Sequence, residues 1–233
     1  MFFRQLFDRD SSTYSYLIAD TSTREAILID SVIEQVDRDL KLIKELNLVL
    51  KYCLETHIHA DHITGTGELR NRTNCQGIVP INAEAKCADR FIKHDEVINI
   101  GKLEIQAIET LGHTDSHMTY LVNRDRVLTE DALLIRGCGR TDFQNGNAGI
   151  LFDSVTTQLF TLPDNTLVYP AHDYHGQTVS TIGEEKQWNP RFQSNRQEFI
   201  NLMNNLDLSY PRKMMEAVPA NQGCGKLENR SLL

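Results

Sequence analysis

The chain has 233 residues, a formal net charge of −8 and a hydrophobic fraction of 40%. This length suits one domain with a sizeable core, so we expect residues 1–233 to form a single domain, with the more polar tail from about residue 176 packed on it. The chain has no dense basic stripe and no apolar run near the roughly 18 residues of a membrane span, so we expect neither nucleic acid nor membrane as a partner.

The cysteines indicate a reducing compartment. They number five, they are dispersed along the chain, and none forms a CxxC pair, so we expect no disulfide framework. The opening MFFRQLFDRD is too short and too charged to be a secretory signal. We therefore expect a cytoplasmic location.

Strand and helix patterns are mixed in the first part of the chain. The apolar, β-branched segments YSYLIAD and EAILIDS predict a strand pair. In VIEQVDRDLKLIKELN, helical spacing predicts an amphipathic helix on the apolar positions Ile33, Val36, Leu40 and Ile43. LVLKYCLET then predicts a buried strand, and the glycine-interrupted ITGTGELRNRT predicts a further helix.

The later segments continue this mixture. GIVPIN predicts a strand and AEAKCADRFI a helix, and four strands are predicted at EVINIG, LEIQAIET, MTYLVN and RVLTE. FDSVTTQLFTL predicts a helix and NTLVYPAHDY a strand that runs into a loop. A late helix is predicted at RQEFINLMNNLDL, with Phe199, Leu202, Met203 and Leu206 facing inward. The pattern indicates an α+β or α/β protein with layers of each.

The segment HIHADH, which follows the buried strand LVLKYCLET, has the composition of a metal site. His57 and His59 are two residues apart and face the same side of an extended segment. Asp61 and His62 follow, where the chain must turn. Packing three imidazoles and a carboxylate together without a cation would leave several polar groups unpaired or repelling. The segment therefore predicts metal binding.

More residues of the ligand type follow later apolar runs. TLGHTDSH offers His113, VLTEDALL offers Asp131, and VYPAHDYHG offers His172. Each alone is weak evidence, since an isolated histidine after a strand is more often structural. Together they repeat the order of strand and then ligand, which predicts a site built from loops along one edge of the sheets.

These motifs resemble those of a known fold. THIHADH, GHT, EDALL and PAHDY match, in order and spacing, the metal-site motifs of the metallo-β-lactamase fold superfamily. The resemblance covers nearly the whole chain. It implies an α+β class fold, an αββα sandwich of two mixed β-sheets flanked by helices, with the metal site at one sheet edge.

Within that superfamily, the chain is most similar to the persulfide dioxygenase group. The resemblance is carried by DALLIRGCGRTDFQNGN at residues 131–147, by PAHDYHG and by the late PRKMMEAVPAN. It implies a sulfur dioxygenase that oxidises glutathione persulfide with O₂ to sulfite and glutathione. It also implies one Fe(II) per chain, held by His57, His113 and Asp131, a two-histidine, one-carboxylate triad that leaves open positions.

The resemblance also assigns supporting residues. Hydrogen bonds that orient the iron ligands are expected from the remaining motif residues, which are His59, Asp61, His62 and His172. By the same resemblance, Arg140 and Tyr174 lie at the glutathione site, with Asp142 as a partner for the substrate's amino group. Relatives are often dimers, so a homodimer is an open expectation.

A binuclear zinc thioesterase of the glyoxalase II kind is the alternative prediction, because every ligand of a two-metal site is present. One position would take His57, His59 and His113, a second would take Asp61, His62 and His172, and Asp131 would lie between them. A non-enzymatic persulfide-binding protein on a spent scaffold is a third reading, which the retained ligands disfavour.

Two departures from the pattern bear on the loops around the site. Many relatives have Pro-Gly after the His-Thr pair, where this chain has Asp115 and Ser116, followed by His117. Many also have glycine before the metal aspartate, where this chain has Glu130. Neither change removes a ligand. We expect His117 either at the surface or beside the ligands, and Cys138, between two glycines, as a small buried residue.

Overall fold

Two mixed β-sheets of six strands each face one another in the computed structural model, which describes residues 1–226. The strands of the first sheet lie in chain order: β1 (Phe2–Asp8), β2 (Thr13–Ala19), β3 (Glu25–Ile29), β4 (Val49–Leu54), β5 (Gln76–Pro80) and β6 (Arg90–Ile92). Its first three strands pair antiparallel, and β3 to β6 pair parallel.

The second sheet is mainly antiparallel. Its strands, also neighbours in chain order, are β7 (Val97–Ile100), β8 (Leu103–Glu109), β9 (Met118–Val122), β10 (Arg126–Glu130), β11 (Leu167–Pro170) and β12 (Ser180–Thr181). Only β10 and β11 pair parallel in this sheet of the described chain. Since β8 and β10 both run antiparallel to β9, the strands β8, β10 and β11 point the same way and end at one edge.

Helices cover the outer faces of both sheets. They are α1 (Val36–Glu45), α2 (Thr66–Thr73), α3 (Ala148–Ser154), α4 (Ile182–Trp188), α5 (Arg196–Asn204) and α6 (Met214–Gln222), with a π-helical turn at Val155–Leu159 after α3. A 3-10 turn at Ile33–Gln35 leads into α1. The α5 helix begins with a capping box, in which the Asn195 side chain accepts from the Glu198 N–H and the Glu198 carboxylate accepts from the Asn195 N–H.

The core follows from the alternation of apolar residues along the strands. A middle cluster between the sheets contains Tyr16, Ile27 and Leu54 from the first sheet and Tyr120 and Leu128 from the second. Separate clusters join each sheet to its own helices on the outer face. This order of helix, sheet, sheet and helix layers confirms the predicted αββα sandwich.

Two sequence-based predictions are wrong, and one strand was missed. AEAKCADRFI is not a helix, because Ala83 and Ala85 pack against Ile58 and Val79 in an irregular segment, and only its end forms β6. The first strand, β1, was not predicted. In α5, Phe199 and Met203 face inward as expected, but Leu202 is 38% exposed.

The expectation that the chain would have no disulfide is also wrong. Cys87 and Cys224 form a disulfide across a sequence separation of 137 residues. It ties the segment after α6 to the irregular segment before β6. Cys53, Cys75 and Cys138 are free. Within residues 1–226, none of the helices is long and apolar enough to cross a membrane.

Candidate metal centre

Three of the predicted ligands converge at the shared edge of the two sheets. His57 follows β4, His113 follows β8, and Asp131 follows β10 directly. One nitrogen or oxygen from each of these residues lies within 4.8 Å of the others. The Asp131 Oδ2 atom is 3.8 Å from His57 Nε2 and 3.7 Å from His113 Nε2. The structure thus brings together a two-histidine, one-carboxylate donor set.

The backs of both imidazoles are held by hydrogen bonds. His113 Nδ1 donates to the Arg140 carbonyl over 2.7 Å, and His57 Nδ1 lies 3.0 Å from the Thr56 hydroxyl. Burial holds the pKa of His57 well below its usual value, with the neighbouring His59 adding to this effect. A neutral ring whose far nitrogen is occupied presents its Nε2 lone pair outward, so these residues fit a metal ion.

Gly139 packs so closely against His113 and Asp131 that its position has no room for a side chain. A Cβ atom at position 139 would lie 2.6 Å from the Asp131 carbonyl oxygen and 2.8 Å from His113 Nδ1. No side chain fits there without moving the backbone beside two of the predicted ligands. The glycine of the GCGR motif therefore has a packing reason at this position.

A second group of predicted residues lies beside the first. The Asp61 Oδ2 atom accepts from the Thr13 hydroxyl at 2.8 Å and is 2.9 Å from His62 Nδ1. His172 Nε2 lies 3.7 Å from both Asp61 Oδ2 and Asp131 Oδ2. His62 Nε2 is buried and has no hydrogen-bond partner among residues 1–226. Asp61 and His172 therefore lie directly beside the triad.

His59 turns one nitrogen away from the triad, toward two buried acids. Its Nε2 atom is 2.9 Å from Asp30 Oδ1 and 3.4 Å from Glu55 Oε2. Burial alone would lower the pKa of His59, but the charge and hydrogen bond of Asp30, together with Glu55 and Asp61, raise it well above its usual value. Asp30 in turn accepts from the Thr56 N–H and hydroxyl. Asp30 therefore holds Thr56 and His59, which lie on either side of the ligand His57.

Sequence reasoning missed Asp30 and Glu55, although each follows a predicted strand. Asp30 comes directly after β3 and Glu55 directly after β4, and these strands are parallel neighbours. Parallel neighbours end at the same sheet edge. The parallel pairing of β3 and β4 was therefore the signal that could have identified Asp30 and Glu55 as site residues.

Asn221, near the end of α6, was also missed. Its side-chain amide donates to the His59 and His62 carbonyls at 2.9 and 2.8 Å, and its side-chain oxygen accepts from the Thr64 N–H at 2.8 Å. The side chain is 4% exposed. It satisfies three backbone groups of the turn that carries three motif residues. The late motif PRKMMEAVPAN thus ends in a direct contact with the candidate site.

Two residues of the departures from the family pattern, His117 and Glu130, are buried next to the ligands, whereas Asp115 is exposed. The His117 ring centroid is 5.1 Å from that of His57, and its Nδ1 lies 2.9 Å from the Thr110 hydroxyl, so a surface position for His117 is wrong. Glu130 is fully buried with φ of 47°, and neither carboxyl oxygen has a partner among residues 1–226. Burial, with Asp30 nearby, raises the pKa of Glu130 well above its usual value.

The residues predicted for glutathione lie at the mouth of the site. The Arg140 guanidinium forms two hydrogen bonds to the Asp142 carboxylate, at 2.7 and 2.8 Å, and one to the Ser209 carbonyl at 2.8 Å. It also lies 4.4 Å from the centre of the Phe143 ring. Tyr174 is 68% exposed and its ring is nearly parallel to that of His172 at 6.1 Å. Their role toward a substrate stays a prediction.

The chain belongs to the metallo-β-lactamase superfamily, whose family profile matches residues 8–172. Within it, the chain belongs to the family of the persulfide dioxygenases named ETHE1. It is 50% identical to the mitochondrial persulfide dioxygenase ETHE1 of Mus musculus over 224 residues, which cover 95% of this chain and 88% of the relative. The Homo sapiens protein of the same name is 48% identical with the same coverage.

A solved structure agrees with this assignment. The crystal structure of ETHE1 from Myxococcus xanthus is 55% identical, with a TM-score of 0.95 over 97% of this chain and 100% of that chain. A hydroxyacylglutathione hydrolase of Bradyrhizobium is more distant, at 33% identity over 72% of this chain and 66% of the relative. The predicted preference for the dioxygenase group over the thioesterase group is confirmed.

Proposed function

We propose that the protein is a persulfide dioxygenase that oxidises glutathione persulfide with O₂ to sulfite and glutathione. The observation that supports it best is the donor set of His57, His113 and Asp131, in a chain about half identical to proteins named persulfide dioxygenase.

The proposed cofactor is one Fe(II) per chain, held by His57 Nε2, His113 Nε2 and Asp131 Oδ2. Two neutral imidazoles and one carboxylate suit non-haem Fe(II) and leave coordination positions open. Bound iron supplies the redox chemistry that joins O₂ to the outer sulfur of the persulfide. The remaining work belongs to the protein, which must bind the thiol carrier, orient the ligands and handle protons.

Orientation comes from the hydrogen bonds behind the ligands. The Arg140 carbonyl accepts a hydrogen bond from the His113 ring. Arg140 therefore orients a ligand with its backbone and places its guanidinium near the entrance of the site. Arg140 suits a carboxylate of glutathione because its guanidinium offers bidentate donors. Binding there would require the Arg140–Asp142 pair to open or to be shared, with Asp142 then facing the ammonium group of the substrate.

Proton handling is assigned to the second group of residues. Asp61 and His172 lie beside Asp131, and the charges of Asp131 and Asp61 raise the pKa of His172 despite its burial, which alone would lower it. A raised pKa favours the protonated form of His172, which can donate a hydrogen bond to an anionic product. Sulfite leaves the site as an anion, so we assign His172 to its stabilisation.

The test is metal content followed by oxygen uptake. Protein expressed in iron-supplemented cells and purified anaerobically is expected to contain about one iron per chain and to consume O₂ only when glutathione persulfide is added. His57→Ala should lose both iron and uptake. His94→Ala is the matched control, because His94 is half-exposed on the turn between β6 and β7, and it should keep both.

A binuclear zinc thioesterase is the second candidate, favoured by two observations. His62 Nε2 is buried without a hydrogen-bond partner among residues 1–226, and His172 Nε2 lies 3.7 Å from both Asp61 and Asp131, as ligands of a second metal would. About two zinc ions per chain, with oxygen-independent hydrolysis of S-lactoylglutathione, would overturn the dioxygenase proposal.

The assembly and location of the protein also stay predictions. The mouse and human relatives carry "mitochondrial" in their names, whereas the sequence predicts a cytoplasmic location for this chain. The expected homodimer is checked by native mass spectrometry, in which a monomer at micromolar concentration would contradict it.

A further inference from the structure

Two free cysteines lie in contact on the side of the first sheet that faces the helices. Cys53 belongs to β4, and Cys75 directly precedes β5, which pairs parallel with β4. Their sulfur atoms are 3.4 Å apart. Both residues belong to the cluster that packs α1 and α2 on this sheet. The metal centre described above uses neither residue.

The two thiols differ in how they can be approached. Cys53 is fully buried, while Cys75 is 6% exposed and lines an open cleft of about 350 Å³. The cleft is polar, and Arg70, Asn74 and Gln76 are among its lining residues. A small reagent in this cleft would meet Cys75 first, with Cys53 directly behind it.

The contact also makes the two thiols chemically unequal. The hydrogen bond from the Cys53 thiol is the largest effect on Cys75, and with smaller help from Arg70 it lowers the pKa of Cys75 to about 7, against the effect of burial. The same hydrogen bond, together with burial, raises the pKa of Cys53 well above its usual value. Thiolate is the reactive form of cysteine, so Cys75 is the attacking sulfur of the pair.

Cys138 is the natural reference thiol. It is half-buried, its sulfur lies 3.7 Å from the Met203 sulfur, and it has no second cysteine beside it in the described chain. Burial raises the pKa of Cys138 to about 12. Thiolate character and a resolving partner are therefore present at Cys75 and missing at Cys138.

We propose that Cys53 and Cys75 form a redox-active dithiol that reacts with the sulfur–sulfur bond of small glutathionyl compounds and closes to an internal disulfide. Cys75 attacks, and Cys53 resolves the product. The sulfur atoms have only to approach from 3.4 Å to bonding distance, so no strand has to change its register.

The chemistry balances for two oxidants of the same class. With glutathione disulfide, the Cys75 thiolate attacks one sulfur and expels glutathione, and Cys53 then attacks the Cys75 sulfur and expels the second glutathione. With glutathione persulfide, Cys75 attacks the outer sulfur and expels glutathione, and Cys53 then displaces that sulfur as sulfide. In each case the two protein thiols lose two electrons and two protons, which the leaving thiols or sulfide take up.

The reaction of the Cys53–Cys75 dithiol needs no iron, so it can be tested without the metal. The full-length protein is incubated anaerobically with glutathione disulfide in one arm and glutathione persulfide in the other. The remaining thiols are then trapped with iodoacetamide and counted after digestion. We expect the free thiols to fall from three to one, with Cys138 left and a crosslinked peptide joining Cys53 to Cys75. Sulfide should appear only in the persulfide arm.

Variants separate the two roles. In Cys53→Ala, Cys75 loses the hydrogen bond that lowers its pKa, so it should react more slowly and stop at a mixed disulfide with glutathione. In Cys75→Ser, Cys53 should stay reduced, because it is fully buried. In the wild type, alkylation of Cys75 should be at least about tenfold faster than that of Cys138 near pH 7 and should rise with pH through about 7.

Other results would overturn the proposal. If Cys75 remains a free thiol in both arms while the denatured chain reacts, the pair is a packing contact and no redox site. If Cys138 reacts as fast as Cys75, general exposure explains the reaction. Because O₂ is absent, these outcomes do not depend on whether the chain is a dioxygenase.

Discussion

Glu130 places an acidic side chain at a backbone position that favours glycine. Its φ of 47° lies in the left-handed region, which costs a residue with a Cβ atom roughly 1–2 kcal/mol. Its carboxyl group is fully buried beside Asp30 and accepts no hydrogen bond within residues 1–226, and a buried polar group with unmet acceptors costs about 1–3 kcal/mol more. The residue therefore destabilises the segment just before the ligand Asp131.

Replacing Glu130 by glycine should stabilise the protein. Glu130→Gly removes both the left-handed strain and the unpaired carboxyl, so we expect the free energy of unfolding to rise by about 1–2 kcal/mol and the melting temperature by about 2–6 °C. Calorimetry measures both quantities. Glu130→Gln keeps the strained φ and should gain less. A glycine variant that melts below the wild type would show that Glu130 makes a contact that stabilises the fold.

At the scale of residues, the sequence predicted the site residues that lie within a short motif. His57, Asp61 and His62 lie within one short segment, and the structure gathers them with His113, Asp131 and His172 at one edge. The braces Asp30 and Asn221 were not predicted. Asp30 is 29 residues from His59, and Asn221 is 162 residues from it, so the pairing depends on strand register and on the docking of α6.

At the scale of elements, α6 holds the segment between the first ligand and α2. Asn221 bonds three backbone groups of that segment, and Cys224, just beyond the helix, is joined to Cys87. Ala217 and Ala220 pack the same helix against Ile63. The α6 helix and Cys224 are therefore a structural part of the candidate site.

Removing the Asn221 side chain should loosen the site. In Asn221→Ala, two carbonyls and one N–H lose a buried partner, so we expect a loss of about 2–4 kcal/mol in the free energy of unfolding. The affinity for the metal should fall by about 10-fold, since the polar groups that support metal ligands typically have effects of this size. Urea unfolding and competition with a chelator measure the two effects.

The neighbouring residue provides the control for this prediction. Gln222→Ala removes a half-buried side chain from the same helix and should change the free energy of unfolding by less than about 0.5 kcal/mol. If both variants weaken metal binding equally, the effect comes from the helix as a whole and the specific role of Asn221 is wrong.

The features that the sequence failed to predict depend on contacts between different segments of the chain. AEAKCADRFI has strong helix formers, yet Ala83 and Ala85 are buried against Ile58 and Val79, and this packing overrides local propensity. The Cys87–Cys224 disulfide joins residues 137 apart, a distance for which spacing carries no signal. The longer periodic segments, such as the one that forms α1, were predicted correctly because their own pattern determines them.

At the scale of the whole molecule, residues of α4 and α5 in the tail pack into the same layers as the second sheet. Phe199 of α5 is fully buried, and its ring is 5.3 Å from that of Phe152 and 5.0 Å from that of Phe192. The cluster that contains these rings also includes Val127 and Val168 from the second sheet. The α5 helix of the tail and the second sheet thus share one hydrophobic cluster.

A single cooperative unfolding transition is the measurable form of the single-domain prediction. Trp188 is the only tryptophan of the chain and lies at the end of α4, so its fluorescence reports on the tail, whereas circular dichroism reports on all elements. We expect the two probes to give one coincident urea transition.

Phe199→Ala should lower the free energy of unfolding seen by both probes by about 3–5 kcal/mol, because its cavity opens in the shared core. Leu202→Ala, at an exposed position of the same helix, should move them by less than about 1 kcal/mol. A fluorescence transition that precedes the circular dichroism transition would mean that the tail unfolds as a separate unit.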